Sequence, residues 1–251
     1  MSVGALIFWS FVTGLLGALA TGLGALPVAL MRNRSTAVKA FCSAAAGGMM
    51  IAASMVSLVQ KGMTLRPTAP YEVMAGLLGG TLFFWLVETR LHTEENMPGR
   101  RGWLIFVAML IHSIPEGMAV GVGFATGDLA FGLVMSLAIA FHNIPEGVAI
   151  SLAMSADGAS VGKCAWYSVL SSMPQPIMAV PAALAAWMFQ PLLPFALGFA
   201  AGAMTYLTVT ELIPEALEEG SPALTGWGVM LGITTMLGVI TVLEKMPLAG
   251  M

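Results

Sequence analysis

The chain has 251 residues, of which 58% are hydrophobic and 9% are charged, and its mean hydropathy is +0.88. A soluble domain carries about 25% charged residues, so this composition excludes an ordinary soluble protein and indicates a membrane protein. The formal net charge of −3, with no basic stripe in the sequence, argues against a nucleic-acid partner.

Apolar segments long enough to cross a bilayer, which takes about 20 residues, occur eight times along the chain. The connections between them are short, and no soluble stretch is inserted. The sequence therefore predicts an all-α polytopic membrane protein, with eight transmembrane helices in one bundle and a single transmembrane domain over residues 1–251. The predicted spans are residues 4–31, 38–60, 70–91, 103–125, 129–154, 163–189, 192–217 and 223–244.

The first three predicted spans are rich in small residues. Residues 21–27 read Thr-Gly-Leu-Gly-Ala-Leu-Pro, and residues 44–49 read Ala-Ala-Ala-Gly-Gly-Met. Glycine and alanine allow helices to approach closely, and proline can kink or end a helix. These segments therefore predict packing. Glu88 and His92, near the end of span three, are expected to lie in solvent at the membrane interface.

A hexapeptide occurs twice, thirty residues apart, inside spans four and five. It reads His-Ser-Ile-Pro-Glu-Gly at residues 112–117 and His-Asn-Ile-Pro-Glu-Gly at residues 142–147. The histidine and glutamate of each copy are four residues apart, which places them on one helix face. The proline between them removes a backbone hydrogen bond and can bend the helix.

Ionisable residues inside a membrane span are costly, so they indicate a functional site that faces the bundle interior. His112, Glu116, His142 and Glu146 together predict a site for a divalent transition metal. In the alternative interpretation each histidine hydrogen-bonds the glutamate of its own helix. The matched repetition of the pair favours the metal site.

Three further segments carry polar residues near the predicted site. Asp128, between spans four and five, is expected to cap the following helix, the alternative being a position on the path of an incoming metal. Two prolines flank Gln175 in span six and predict a broken helix that lines a cavity. In span seven, Glu211 and Glu215 share a helix face, and Glu211 is a candidate ligand on the metal pathway.

Glu215 begins a run of acidic residues at the end of span seven that also includes Glu218 and Glu219. The run is either an acidic exit vestibule for the metal or a solvated group of charges, and the sequence leaves both possibilities open.

The paired hexapeptides resemble the signatures on the fourth and fifth transmembrane helices of the ZIP (Zrt/Irt-like) divalent metal transporters, and in particular those of the prokaryotic GufA-like branch. The resemblance covers nearly the whole chain and implies a ZIP-like bundle with internal repeats. It also implies that the carboxylates bridge two adjoining metal sites. The implied metal-ligating positions are His112, Ser113, Glu116, His142, Asn143, Glu146, Gln175 and Glu211.

The chain departs from the family pattern at three positions. Two are implied ligand positions, Ser113 and Gln175, and the third, Thr210, is next to Glu211. Gln175 stands where the family has a glutamate ligand, Thr210 stands where it has a histidine, and Ser113 stands where it often has Asn or Asp. Glutamine keeps an oxygen donor but loses a negative charge. We therefore expect one well-formed metal site and one marginal site.

Lysine and arginine in the short connections predict the orientation of the chain. Seven lie on one side, namely Arg32, Arg34, Lys39, Arg90, Arg100, Arg101 and Lys163, and three lie on the other, namely Lys61, Arg66 and Lys245. This asymmetry predicts that both termini are outside the cytoplasm. The compact size and the GufA-like pattern suggest a bacterial inner (plasma) membrane.

The leading interpretation is an uptake transporter that moves Zn²⁺, or the related Cd²⁺, Fe²⁺, Mn²⁺ or Co²⁺, toward the cytoplasm. The metal is then substrate and not a cofactor, and the protein is not an enzyme. The resemblance further implies a homodimer and an elevator-like or rocking movement. The alternatives are a metal-sensing membrane protein and an intramembrane metal-dependent hydrolase, although the His-Glu-x-x-His motif is absent from the sequence.

Overall fold

The computed structural model describes residues 1–30, 36–91 and 101–246. Within these ranges the chain forms no strand, and eight helical spans are long and apolar enough to cross a membrane. The predicted all-α polytopic fold is therefore confirmed. The connections that hold Arg32, Arg34, His92 and Arg100 lie outside the described residues.

Four of the spans are uninterrupted helices. They are span 3 (Pro70–Leu91), span 4 (Arg101–Ala125), span 5 (Leu129–Ala156) and span 8 (Pro222–Lys245). Spans 4 and 5 contain Pro115 and Pro145, and the helix continues through both prolines. The side chains of each repeated motif are therefore carried by one continuous helix.

The other four spans are interrupted. Span 1 consists of Val3–Leu23 and Ala25–Leu30, and span 6 of Val161–Ser171 and Pro174–Met188. Span 2 consists of Thr36–Ala52, a π-helical segment Ala53–Val59 and Gln60–Leu65. Span 7 consists of a short 3₁₀ turn Gln190–Leu192, Leu193–Leu207, a π-helical segment Thr208–Leu212 and Ile213–Glu219. The break predicted beside Gln175 is confirmed, whereas nothing in the sequence predicted the two π segments.

The spans pack in two groups. Spans 1, 4, 5 and 6 pack mainly on one another, and so do spans 2, 3, 7 and 8. We call the first set the site group and the second the support group. They meet along a seam where spans 4 and 5 of the site group contact spans 2, 7 and 8 of the support group.

Glycines set the close contacts inside each group. A Cβ on Gly147 of span 5 would overlap the carbonyl oxygen of Thr21 in span 1, and a Cβ on Gly80 of span 3 would overlap that of Phe199 in span 7. Lipid supplies no hydrophobic drive between helices, so such close backbone approach is a main source of their association. Among the described residues, every glycine whose added Cβ would meet another span does so within its own group.

Candidate metal centre

Three side chains from the repeated motifs converge in the site group. Glu116 of span 4 and His142 and Glu146 of span 5 each offer a donor atom, and these atoms lie within 4.8 Å of one another. All three residues are at most 1% exposed. The continuous helices of spans 4 and 5 place the two motifs side by side, which is how residues 26 to 30 positions apart come together.

The histidine of one copy pairs with the glutamate of the other. His142 Nε2 lies 3.0 Å from Glu116 Oε1, so this contact joins two spans. His142 therefore contacts Glu116 of span 4, and not Glu146 of its own helix as the alternative interpretation proposed.

Several donor atoms at this cluster have no protein partner. Both carboxylate oxygens of Glu146, Nδ1 of His142 and Oδ1 of Asn143 are buried without a hydrogen bond. Buried polar atoms are nearly always paired, because leaving them unpaired is costly. Imidazole nitrogen and carboxylate oxygen are donors that Zn²⁺ accepts, and no thiolate of a closed structural site is present in the cluster. The cluster therefore fits a divalent metal ion.

Gln175 joins the cluster as a hydrogen-bond partner. It is fully buried, in the first turn of the helix that follows the break in span 6. Its Nε2 donates to Glu116 Oε2, and its Oε1 accepts from Asn143 Nδ2 at 3.1 Å. Asn143 Nδ2 also donates to the carbonyl oxygen of Gly17 at 2.9 Å. The broken span thus delivers a neutral amide to the carboxylate that the two motifs share.

His112 and Ser113 lie in the same motif but outside the three-donor cluster. His112 Nδ1 lies 3.1 Å from the carbonyl oxygen of Ala108 and 3.3 Å from Glu211 Oε2, and its Nε2 is buried without a partner. Ser113 donates to the carbonyl oxygen of Met109 at 3.1 Å, within its own helix. The bond uses the hydroxyl proton of Ser113 and leaves the lone pairs of its oxygen available.

Glu211 lies in the π segment of span 7, so its contact with His112 crosses the seam. Thr210, at the position where the family has a histidine, donates to the carbonyl oxygen of Tyr206 at 3.0 Å. The hydroxyl of Tyr206 donates to Glu88. Glu88, which we expected to be simply solvated, is therefore held by a side chain of the neighbouring span.

The acidic run of span 7 is paired with Lys39, which entered the sequence analysis only as an indicator of membrane orientation. Lys39 of span 2 is 6% exposed, and its Nζ lies 2.8 Å from Glu215 Oε1 and 3.4 Å from Glu219 Oε1. Ser43 also donates to Glu215, at 3.3 Å. A buried lysine in an apolar span needs a carboxylate partner, so the sequence could have predicted that Lys39 has one, although not which one.

Asp128 caps span 5, as the sequence predicts. Its Oδ1 accepts from the backbone N–H of Phe131 at 3.0 Å, and its Oδ2 lies 2.7 Å from Lys61 Nζ. Burial pushes the pKa of Asp128 upward, but the hydrogen bonds from Lys61 and Phe131 and the charge of Lys61 outweigh it. The net effect lowers this pKa below its usual value.

The fold and the buried cluster define a polytopic membrane protein with an intramembrane group of side chains that could hold a divalent metal, as in a metal transporter. The family model described as ZIP zinc transporter matches residues 87–240. The chain belongs to the ZIP family, and the resemblance seen in the repeated motifs is confirmed.

Relatives from bacteria match over most of their length. The chain is 38% identical over 242 residues to zinc transporter GufA of Myxococcus xanthus, covering 88% of this chain and 95% of the relative. It is 33% identical over 251 residues to zinc transporter ZIPB of Bordetella bronchiseptica, covering 94% of this chain and 81% of the relative.

Eukaryotic relatives are longer. The chain spans 38% of the length of a zinc transporter from Arabidopsis thaliana that is 38% identical over 238 residues. It spans 44% of zinc transporter ZIP11 of Homo sapiens, with 43% identity over 152 residues.

Proposed function

We propose that this chain carries a divalent transition metal, zinc foremost, across the membrane into the cytoplasm through the site formed by Glu116, His142 and Glu146. The observation that carries the proposal is a fully buried set of three donors in which the oxygens of Glu146 and Nδ1 of His142 lack any protein partner. A polar core that served only packing would satisfy these atoms. The names of the relatives, all zinc transporters, favour zinc as the ion.

The charge of the cluster suits one ion. Two glutamates, Glu116 and Glu146, offset one divalent cation in a low-dielectric interior. Asn143 and Gln175 adjoin the cluster and add oxygen donors without charge, and Ser113 offers only a neutral hydroxyl oxygen. Two charged ligands at the cluster and neutral donors beside it support one well-formed metal site and one weak adjoining site.

His112 and Glu211 would form the next position on the path. They lie 3.3 Å apart across the seam, and Glu211 is partly exposed whereas the central cluster is buried. An ion leaving Glu116 would therefore meet the next imidazole and carboxylate before it reaches water.

The charge asymmetry of the connections, seven basic residues against three, supports termini outside the cytoplasm, and inward transport is part of the proposal that the uptake assay tests. We further assign the chain to a bacterial plasma membrane, as a homodimer with residues 1–251 in one transmembrane domain. The two packing groups support a movement of the site group against the support group, since the site lies in one of them near the seam.

Metal entry into proteoliposomes loaded with a metal-sensitive dye tests the function. We expect the parent chain to carry Zn²⁺ and the variant Glu116→Ala/Glu146→Ala to carry none, and a panel of Cd²⁺, Fe²⁺, Mn²⁺ and Co²⁺ ranks the substrates. Glu218→Ala, which removes an exposed glutamate of span 7, is the control and should carry metal like the parent. Equal uptake by the parent and the double variant would overturn the proposed pathway.

A further inference from the structure

A cavity of about 390 Å³ opens in the seam at the end of the bundle where span 5 begins and span 8 ends. It is lined by spans 2 and 8 of the support group and by the beginning of span 5 of the site group. Ser57 lines it and is 7% exposed, and its Oγ is buried without a hydrogen-bond partner. The cavity therefore lies between the two groups and belongs to neither alone.

One side chain of the support group reaches across the seam at this cavity. Lys61 Nζ lies 2.7 Å from Asp128 Oδ2 and 4.7 Å from the ring centroid of Phe131. Lys61 belongs to span 2, whereas Asp128 and Phe131 form the first turn of span 5. The lysine thus makes an ion pair and a cation–π contact with the same turn of the opposite group.

Another side chain that crosses the seam among the described residues is neutral: Gln190 of span 7 donates to the carbonyl oxygen of Ala125 in span 4 at 3.3 Å. The close glycine contacts stay within the groups, and the other ion pair that crosses the seam is His112–Glu211, at the level of the candidate pathway. At the end of the bundle where the cavity opens, the charged contact that ties the two groups together is Lys61–Asp128.

We propose that the Lys61–Asp128 ion pair is a latch, which holds the seam shut at the mouth of this cavity and breaks when the buried site opens to that side. This inference rests on the proposed function, because a site that never opened would need no latch. The strength of the Lys61–Asp128 ion pair is compatible with repeated opening of the seam. The side chains of Lys61 and Asp128 are 23% and 44% exposed, and ion pairs this accessible to water are weak enough to break and form repeatedly.

The Lys61–Asp128 ion pair would also affect the entry of a cation into the cavity. A lone lysine at the mouth would repel an incoming metal ion, and Asp128 cancels that charge while the seam is closed. A divalent cation that reaches the cavity competes with Lys61 for the carboxylate of Asp128, so its arrival favours the open seam.

The test is the rate at which a membrane-impermeant thiol reagent labels a cysteine at position 57. The background carries Ser57→Cys with Cys42→Ala and Cys164→Ala, which remove the two native cysteines. We expect Lys61→Gln and Asp128→Asn each to raise the labelling rate about three- to fivefold, the effect of losing an exposed ion pair. Asparagine still caps a helix well, so Asp128→Asn leaves the start of span 5 intact.

Two controls make the result specific to the pair. Lys61→Arg keeps the charge and should label like the background. Arg66→Gln breaks the Arg66–Glu72 ion pair, 2.5 Å long at the same end of the bundle but within the support group, and should leave labelling unchanged. Variants are compared only after they elute in size-exclusion chromatography as the background does.

Unchanged labelling in Lys61→Gln and Asp128→Asn would overturn the latch, as would equal acceleration by Arg66→Gln. The readout requires no metal transport, so a failed latch is distinguished from a failed transport pathway, which the uptake assay with Glu116→Ala/Glu146→Ala measures.

Discussion

At the scale of single residues, Gln175 determines the charge of the candidate metal centre. Its amide bridges Glu116 and Asn143, so the carboxylate shared by the two motifs accepts a hydrogen bond in place of facing a third negative charge. The same amide limits how much positive charge the cluster can hold, because Glu116 and Glu146 are the only carboxylates in the described three-donor group.

Gln175→Glu should therefore raise the affinity for Zn²⁺ by roughly tenfold, equivalent to about 1.4 kcal/mol. The new carboxylate would repel Glu116 in the metal-free protein, and a bound ion would relieve that repulsion. Titration calorimetry in detergent measures the affinity. Gln190→Glu, the same change in a residue whose amide donates to backbone carbonyls at the ends of spans 4 and 6, should leave it unchanged. An unaltered affinity in Gln175→Glu would refute a role for this residue at the site.

Glu146→Gln should abolish the rise in melting temperature that Zn²⁺ causes in the parent protein. Ligand binding to the folded state raises stability in proportion to the logarithm of the ligand concentration, and Glu146 supplies two donor oxygens that no protein group occupies. Thermal unfolding with and without Zn²⁺ provides the measurement, with Glu218→Gln as the control. A metal-induced shift of parental size in Glu146→Gln would argue against Glu146 as a ligand.

The repeated motifs could be predicted as a site because histidine and glutamate four residues apart share a helix face whatever else the chain does. The pairing of His142 with Glu116 could not be predicted, because it depends on how spans 4 and 5 lie against each other. The same limit applies to Lys39, whose partners Glu215 and Glu219 are far away in sequence.

Close backbone contact organises the molecule at the scale of the spans. The eight apolar segments and the break beside Gln175 follow from length and proline content, and the structure confirms them. The π segments of spans 2 and 7 lie in the support group. Packing against neighbouring spans determines their backbone conformation, and no residue pattern within them predicts it. Glu211 lies in one of them, which fits the tendency of π segments to occur at functional sites.

Gly80→Ala should destabilise the protein by about 1–3 kcal/mol, as overpacking of a tight interface does. The added methyl group would overlap the backbone of Phe199, so spans 3 and 7 would have to move apart. Thermal unfolding in detergent gives the comparison. Gly238→Ala in span 8 is the matched control, because its methyl group would meet no atom within 4 Å, and helical alanine is itself favourable. Equal melting temperatures for the two variants would contradict the packing argument.

The cap of span 5 should lose its ionic component in acid. The pKa of Asp128 is lower in the folded protein than its ordinary value of 3.8, so its carboxylate stabilises the fold above that value. The contribution disappears as the pH falls through the lowered pKa. The melting temperatures of the parent and Asp128→Asn should therefore differ at neutral pH and converge below pH 3.8. A difference that is constant with pH would exclude the ion pair as its cause.

For the whole molecule, the division into two groups predicts which covalent ties the protein tolerates. In a chain with Cys42→Ala and Cys164→Ala, a short bis-methanethiosulfonate linker between Lys61→Cys and Asp128→Cys would join the two groups and should abolish metal uptake, and reduction should restore it. The same linker between Arg66→Cys and Glu72→Cys joins residues of the support group and should leave uptake intact. Uptake that survives the first linker would show that the seam does not open at this end.

The interleaving of the two groups along the chain also bears on how the protein is made. Spans 1, 4, 5 and 6 are all present once residue 188 has entered the membrane, whereas spans 2, 3, 7 and 8 require the chain up to residue 245. Because Glu116, His142 and Glu146 belong to the half that is finished first, a nascent chain can assemble its proposed metal ligands while the other half still lacks two helices. An ion captured at that stage would favour the folding of the unfinished protein.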